Sequence, residues 1–221
     1  MLFSLIAVIS ASYLVGSIPT SIIVGKILRG RDFDIRKEGS GNAGGTNVFR
    51  VLGWKPGITV MAIDVLKGVA ATLFVSQWQP FGTIFLSQTV LQILCGIAAI
   101  CGHIWTIFAG FRGGKGVGTA AGMIFSLYPI AALICVVVFV LVVFFTRYVS
   151  LGSMCAAAAL PLTLMLLPSP SPNIDEDVLF LFSILVSGLI VFTHRSNIRR
   201  LLNGTENRFG KSRAPTSTEA R

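Results

Sequence analysis

Of the 221 residues, 53% are hydrophobic and only 12% are charged. A soluble domain carries roughly 25% charged residues, so an ordinary soluble protein, a disordered chain and a secreted disulfide scaffold are excluded, and a polytopic membrane protein remains. The net charge of +9 points to anionic lipid or an anionic substrate rather than to nucleic acid, because the basic residues sit in short loops between apolar runs.

The apolar runs fall at 2–28, 57–76, 83–104, 117–128, 129–146, 150–167 and 178–193. Each is expected to be a transmembrane helix, since about 20 apolar residues cross a bilayer. Residues 1–25 carry no basic segment ahead of their apolar stretch, and the first cation, Lys26, follows them. That order is the reverse of a signal peptide, so the first run reads as a membrane helix. Residues 117–146 are too long for one crossing. Tyr128-Pro129 divides them, because the residue before a proline disfavours helix. The fourth span is then short and needs tilt or local thinning. Cys95, Cys101, Cys135 and Cys155 all lie within apolar runs and read as small packing residues.

Alternate loops carry 17 of the 18 Lys and Arg residues, Lys67 being the exception. By the positive-inside rule those loops are cytoplasmic. The expected fold is therefore an all-α polytopic bundle of seven transmembrane helices, N-terminus outside and C-terminus cytoplasmic. Residues 1–206 form one membrane domain, and 207–221 read as a polar, flexible tail.

Three inward loops carry the chemistry. The first, Glu38 to Arg50, reads EGSGNAGGTNVFR. Its glycines let successive N–H groups converge into an anion-binding nest. Ser40, Asn42, Thr46 and Asn47 add side-chain donors, and Arg50 adds a forked cation. The formal G-x-G-x-x-G match has no βαβ unit around it, so a dinucleotide site is rejected. The second loop, Gly102 to Thr119, places Lys115 among Gly113, Gly114 and Gly116 ahead of a helix. Its spacing fails the Walker A pattern, yet charge and a helix N-terminus together suit phosphate. The third, His194 to Glu206, reads HRSNIRRLLNGTE. If the last span continues through it, His194 and Asn197 lie one turn apart on one face. Gly204 is expected to end that helix, and Glu206 to pair with an arginine.

Asp64 and Lys67, three apart inside the second span, are expected to neutralise each other, since a charge in mid-membrane costs about 2.5–3.5 kcal/mol. Ser150 and Ser153 read as caps of the sixth span. His103 ends the third span, with structural and direct roles both open. There is no G-x-S-x-G elbow, no H-x4-D pair and no metal-ligand spacing.

These three loops, with GSIPTSIIVGK near the start and DVLKG in the second span, resemble the bacterial acyl-phosphate:glycerol-3-phosphate acyltransferase family over nearly the whole chain. The sequence departs from the family pattern at Thr106, where a proline is usual, and at Arg112 and Val117-Gly118-Thr119 around GGKG.

The resemblance implies a multi-pass enzyme of the bacterial inner membrane with its active site facing the cytoplasm. It implies transfer of a fatty acyl group from acyl phosphate to the 1-hydroxyl of sn-glycerol 3-phosphate, with no cofactor and no metal. On the family pattern Ser40, Gly41, Asn42, Gly44, Gly45, Thr46 and Asn47 bind acyl phosphate. Arg50, Lys115, Ser150, His194 and Asn197 bind glycerol 3-phosphate, and His194, Lys115 and Arg50 are the catalytic candidates. The proton of the attacking hydroxyl goes either to the substrate's own phosphate or to His194. A transporter or flippase for a phosphorylated small molecule is the alternative. The absence of internal repeats and the placing of all motifs on one face weigh against it.

Overall fold

The computed structural model describes residues 2–168 and 176–210. The chain is all-helical among these residues. Helices α1 (Leu2–Ser17) and α2 (Thr20–Arg29) share the first apolar run, α3 (Gly45–Leu52) follows the first glycine loop, and α4 (Trp54–Val69) is the second span. A π turn, Ala70–Phe74, and a 3-10 turn, Val75–Gln77, extend α4. Then come α5 (Gln88–Ile104), α6 (Val117–Leu127), α7 (Pro129–Thr146), α8 (Val149–Leu166), α9 (Glu176–Thr193) and α10 (Arg195–Leu202).

Six of the described segments are long and apolar enough to cross a bilayer. The expected division at Tyr128-Pro129 is present: α6 stops at Leu127 and α7 starts on Pro129. At 11 residues, α6 is about 17 Å long at 1.5 Å per residue, short of a full crossing. The run at 2–28, expected as one helix, is broken. Pro19 has no N–H to donate and disfavours helix at Ile18, so α1 ends at Ser17 and α2 restarts at Thr20.

The outward faces are apolar. On α7, Val137, Val140, Phe144 and Phe145 are each more than half exposed. An apolar patch of this extent belongs in lipid rather than water. Inside, small residues bring helix backbones together. A Cβ on Gly102 of α5 would lie 2.1 Å from the Tyr13 carbonyl oxygen of α1, and one on Gly122 of α6 would lie 2.0 Å from that of Val65 on α4. Ile93, Ile100, Met123, Leu160, Phe182 and Ile190 fill the buried centre between α5, α6, α8 and α9. All four cysteines are free.

One cluster of buried polar groups lies where α1 breaks. Lys67 donates to Asp64 Oδ1 at 2.7 Å and to the Ile18 carbonyl at 2.5 Å. Thr20 donates to the same Asp64 oxygen at 3.2 Å, and His103 Nδ1 lies 3.6 Å from it. The Asp64–Lys67 pair is therefore internal and compensated, as expected from its spacing. The cluster joins α1, α2, α4 and α5 beneath the loops.

The tail expected at 207–221 is not uniformly free. Residues 207–210 fold back onto the body, with the Phe209 N–H donating to the Arg147 carbonyl at 2.7 Å. Residues 211–221 lie outside the described residues, as do 169–175 of the acidic outer loop.

Candidate active site

The first loop is built around Asn47. It is 1% exposed. Its amide donates to the carbonyls of Ile35 and Glu38 at 3.1 and 2.9 Å, and its Oδ1 accepts from the Ser40 N–H at 2.8 Å. Asn47 thus organises the loop from behind with its amide fully engaged. Gly39 and Gly41 turn the chain at φ +59° and +73°, conformations that suit glycine. Gly44 then caps α3, whose first turn, from Gly45, opens toward the cavity described below. Arg36 is held by Asp34 at 2.8 Å and donates to the Ala109 carbonyl at 2.8 Å, tying the first loop to the second.

The second loop folds back on the end of α5. The Gly113 and Gly114 N–H groups donate to the Ile104 and His103 carbonyls, each at 3.0 Å. Gly114 lies so close to the His103 ring that a Cβ there would be 2.1 Å from Nε2. Gly116, at φ +83°, starts α6 and turns Lys115 inward. Thr106 keeps the bend a proline would supply: its φ is −67°, within the range a proline ring imposes. Its hydroxyl donates to the Ser17 carbonyl.

The third loop supplies a carboxylate hub. Glu206 Oε1 accepts from Asn197 Nδ2 at 2.7 Å and from Ser150 at 2.9 Å, and its Oε2 accepts from Arg200 at 2.7 Å. The expected Glu206–arginine pairing is present, and Lys115 in turn donates to Asn197 Oδ1. The capping expected of Ser150 and Ser153 is not found. Tyr148 is the N-cap without a side-chain bond. Ser150 faces Glu206 instead, and Ser153 bonds back to the Val149 carbonyl at 2.9 Å. Nor does α9 run on unbroken: it ends at Thr193, and His194 caps the separate α10. His194 and Asn197 are nevertheless both buried, facing one space.

That space is a cavity of about 520 Å³. Ser40, Asn42, Gly44, Gly45, Thr46, Asn47, Arg50, Lys115, Ser150, His194 and Asn197 all border it. Gly41, of the expected set, does not; it shapes the turn, its N–H donating to the Glu38 carbonyl at 3.0 Å. Below this polar end the walls become apolar: Ile58 and Met61 from α4, Ile124 and Phe125 from α6, Val136 and Phe139 from α7, Leu160 from α8. Along α8 the lining runs from Ser150 to Leu160, about 15 Å of helix.

Sequence reasoning missed this apolar extension. Asp64, expected as the partner of Lys67, and His103, whose role the sequence leaves open, both border the cavity, while Asn207 and Phe209 were missed as lining residues. Phe209 had one faint signal, as the one phenylalanine in a polar tail. Among the described residues no cluster of His, Cys, Asp and Glu has the geometry to hold a metal ion.

Electrostatics sharpen the polar end. Burial, then the competing charges of Glu206, Arg200 and Arg50, brings the Lys115 pKa down to about 8. Burial likewise lowers that of Arg50. Burial and then Lys115 push His194 down to about 4, so its imidazole is neutral near pH 7. Its Nδ1 lies 2.7 Å from the Ile190 carbonyl oxygen. A carbonyl only accepts, so Nδ1 carries the proton and Nε2 keeps its lone pair. For Glu206, burial works against the charge, but the hydrogen bonds from Asn197, Arg200 and Ser150 outweigh it and hold the pKa below the ordinary carboxylate value.

Fold and cavity together define an integral membrane protein whose glycine-rich, cationic loops open onto an apolar channel. Comparison with known proteins makes the class specific. Residues 6–204 match the family model described as glycerol-3-phosphate acyltransferase. The chain is 45% identical to the glycerol-3-phosphate acyltransferase of Chlorobium phaeovibrioides, covering 94% of this chain and 97% of that one. It is also 45% identical to that of Pelodictyon phaeoclathratiforme, over 95% and 99%. The crystal structure of PlsY (YgiH), an integral membrane glycerol 3-phosphate acyltransferase in its glycerol 3-phosphate form, superimposes with a TM-score of 0.79. The two sequences are 36% identical, over 94% of this chain and 96% of that one. The lysophosphatidic acid form of PlsY gives a TM-score of 0.76. The chain belongs to the glycerol-3-phosphate acyltransferase family.

Proposed function

We propose that this protein transfers a fatty acyl group from acyl phosphate to the 1-hydroxyl of sn-glycerol 3-phosphate, giving 1-acyl-glycerol 3-phosphate and inorganic phosphate, an entry step to phospholipid synthesis. The observation that carries the reading is the single cavity in which Arg50 and Lys115 of the first two loops, with His194 and Asn197 of the third, meet an apolar channel that follows α8 for about 15 Å. Two phosphates and one long alkyl chain need such a combination.

The first-loop residues Ser40, Asn42, Gly44, Gly45 and Thr46 hold the acyl-phosphate group. The free N–H groups at the start of α3 stabilise charge as it develops on the acyl oxygen. Arg50 and Lys115, with Ser150 and Asn197 beside them, hold glycerol 3-phosphate. The hydroxyl oxygen attacks the acyl carbon, the carbon–oxygen bond to phosphate breaks, and inorganic phosphate leaves. The substrate's phosphate takes the hydroxyl proton. His194, with a pKa of about 4, is a weak proton acceptor near neutrality, but its Nε2 can accept a hydrogen bond from the hydroxyl and aim it. Catalysis is then mostly positioning.

The protein is read as crossing the inner membrane seven times, α6 making the short crossing. The N-terminus lies outside, and the site and C-terminus face the cytoplasm. The distribution of Lys and Arg supports this orientation. Mass spectrometry of the lipid formed from palmitoyl phosphate and glycerol 3-phosphate tests the reaction. Formation of 1-palmitoyl-glycerol 3-phosphate is expected. A product acylated elsewhere, or none from folded protein, overturns it.

A further inference from the structure

The segment that follows α10 does more than anchor Glu206. Gly204, at φ +68°, turns the chain out of the helix, and the Thr205 N–H closes the turn on the Arg200 carbonyl at 2.8 Å. From there residues 205–210 run along the loop end of the cavity, which Glu206, Asn207 and Phe209 line, and are fixed at three points. Glu206 is held by Ser150, Asn197 and Arg200. Arg208 donates to the Tyr148 hydroxyl at 3.0 Å and lies 5.3 Å from that ring's centre. The Phe209 N–H bonds to the Arg147 carbonyl. On the far side Phe209 meets Phe49 of α3, ring centres 5.3 Å apart. Both rings line the cavity, and Phe209 is 39% exposed. Phe209 therefore borders both the reaction space and the outside. The strap thus joins α3, which carries the first loop, to the α7–α8 turn.

An acyl phosphate is activated toward any oxygen nucleophile, and water competes with the glycerol hydroxyl wherever it reaches the acyl carbon. In that side reaction water attacks the carbon, the bond to phosphate breaks, and fatty acid, phosphate and a proton are released. We infer that residues 205–210 are a water-excluding cover for the acyl-phosphate site, and that Phe209, seated on Phe49, is an acceptor-selectivity residue. The inference rests on the acyl-transfer reading above. Apolar cover over a reactive mixed anhydride suppresses its hydrolysis by keeping water from the acyl carbon.

The test compares two products of the purified protein in detergent with palmitoyl phosphate: free palmitate, and 1-palmitoyl-glycerol 3-phosphate at saturating acceptor. Phe209→Ala should raise the palmitate-to-lipid ratio by about tenfold, with the KM for glycerol 3-phosphate within about twofold of wild type. Phe209→Leu, which keeps an apolar cover, should return the ratio most of the way. Arg208→Ala loosens the strap from outside the cavity and should give a smaller rise, and it decides the matter if Phe209→Ala does not fold. A ratio unchanged in folded Phe209→Ala, or in Arg208→Ala where the first variant fails, overturns the inference. Wild-type protein that makes no acylated glycerol phosphate overturns the acyl-transfer reading instead, so the two failures are distinguishable.

Discussion

Lys115 gives the site a pH dependence that can be worked out in advance. Its pKa is about 8 in the folded protein against an ordinary 10.5, a displacement of roughly 3 kcal/mol against the ammonium form. The sign follows from proton counts. The folded chain binds fewer protons than the unfolded chain between about pH 8 and 10.5. The cost to folding is therefore fully present below pH 8 and is relieved as pH rises through that window. Substrate binding runs the other way. A phosphate dianion favours the charged lysine, so binding above pH 8 must take up a proton. The KM for glycerol 3-phosphate should be flat up to about pH 7.5 and then rise, approaching tenfold per pH unit above pH 8. Lys115→Arg keeps its charge to above pH 12, so the rise should vanish, whatever the variant's absolute activity. Initial rates against glycerol 3-phosphate from pH 6.5 to 9.5, at fixed saturating acyl phosphate, provide the check. A wild-type KM that stays flat to pH 9.5, or an equal rise in Lys115→Arg, would exclude Lys115 as the titrating group.

Other consequences are equally open to measurement. Glu206→Ala strips the acceptor from Asn197, Ser150 and Arg200. Breaking such a pair costs about 3–5 kcal/mol when buried, and the 29% exposure of the Arg200 side chain places the loss near 3 kcal/mol; thermal unfolding in detergent measures it. Asp64→Ala should cost a similar 3–5 kcal/mol by leaving Lys67 charged and buried, while Asp64→Asn combined with Lys67→Met should recover more than half of the lost thermal stability. Gly114→Ala drives a methyl group into His103 and displaces the Lys115 loop, so the KM for glycerol 3-phosphate should rise by about tenfold or more. Gly188→Ala, where a Cβ meets nothing within 4 Å, should leave activity unchanged.

Much of the site was legible because its loops are written in unusual residue types. Glycine runs with Lys115 or Arg50 beside them announce anion binding, and Tyr128-Pro129 announces a helix boundary. Pro19 carried the same signal within the first apolar run, where hydropathy overshadowed it. What could not be read depends on distance across the fold. Ser150 looks like a cap until Glu206 is brought beside it. Asp64 and His103 sit on different helices, and nothing in either segment announces the other. The apolar channel is made by residues scattered over α4, α6, α7, α8 and α9, each indistinguishable from a lipid-facing neighbour. Asn47 reads as a ligand donor by type, yet its amide is spent on the loop's own backbone. Phe209 became meaningful only once Phe49 and the Arg147 carbonyl lay on either side of it.

The central claim is acyl transfer within the cavity that Lys115 borders. The most direct measurement is phosphate release by the purified protein in detergent from palmitoyl phosphate, with and without glycerol 3-phosphate, beside a folded Lys115→Ala variant. Release should depend on the acceptor and be lost in the variant. Release that glycerol 3-phosphate does not increase, or undiminished activity without Lys115, would contradict acyl transfer at this site.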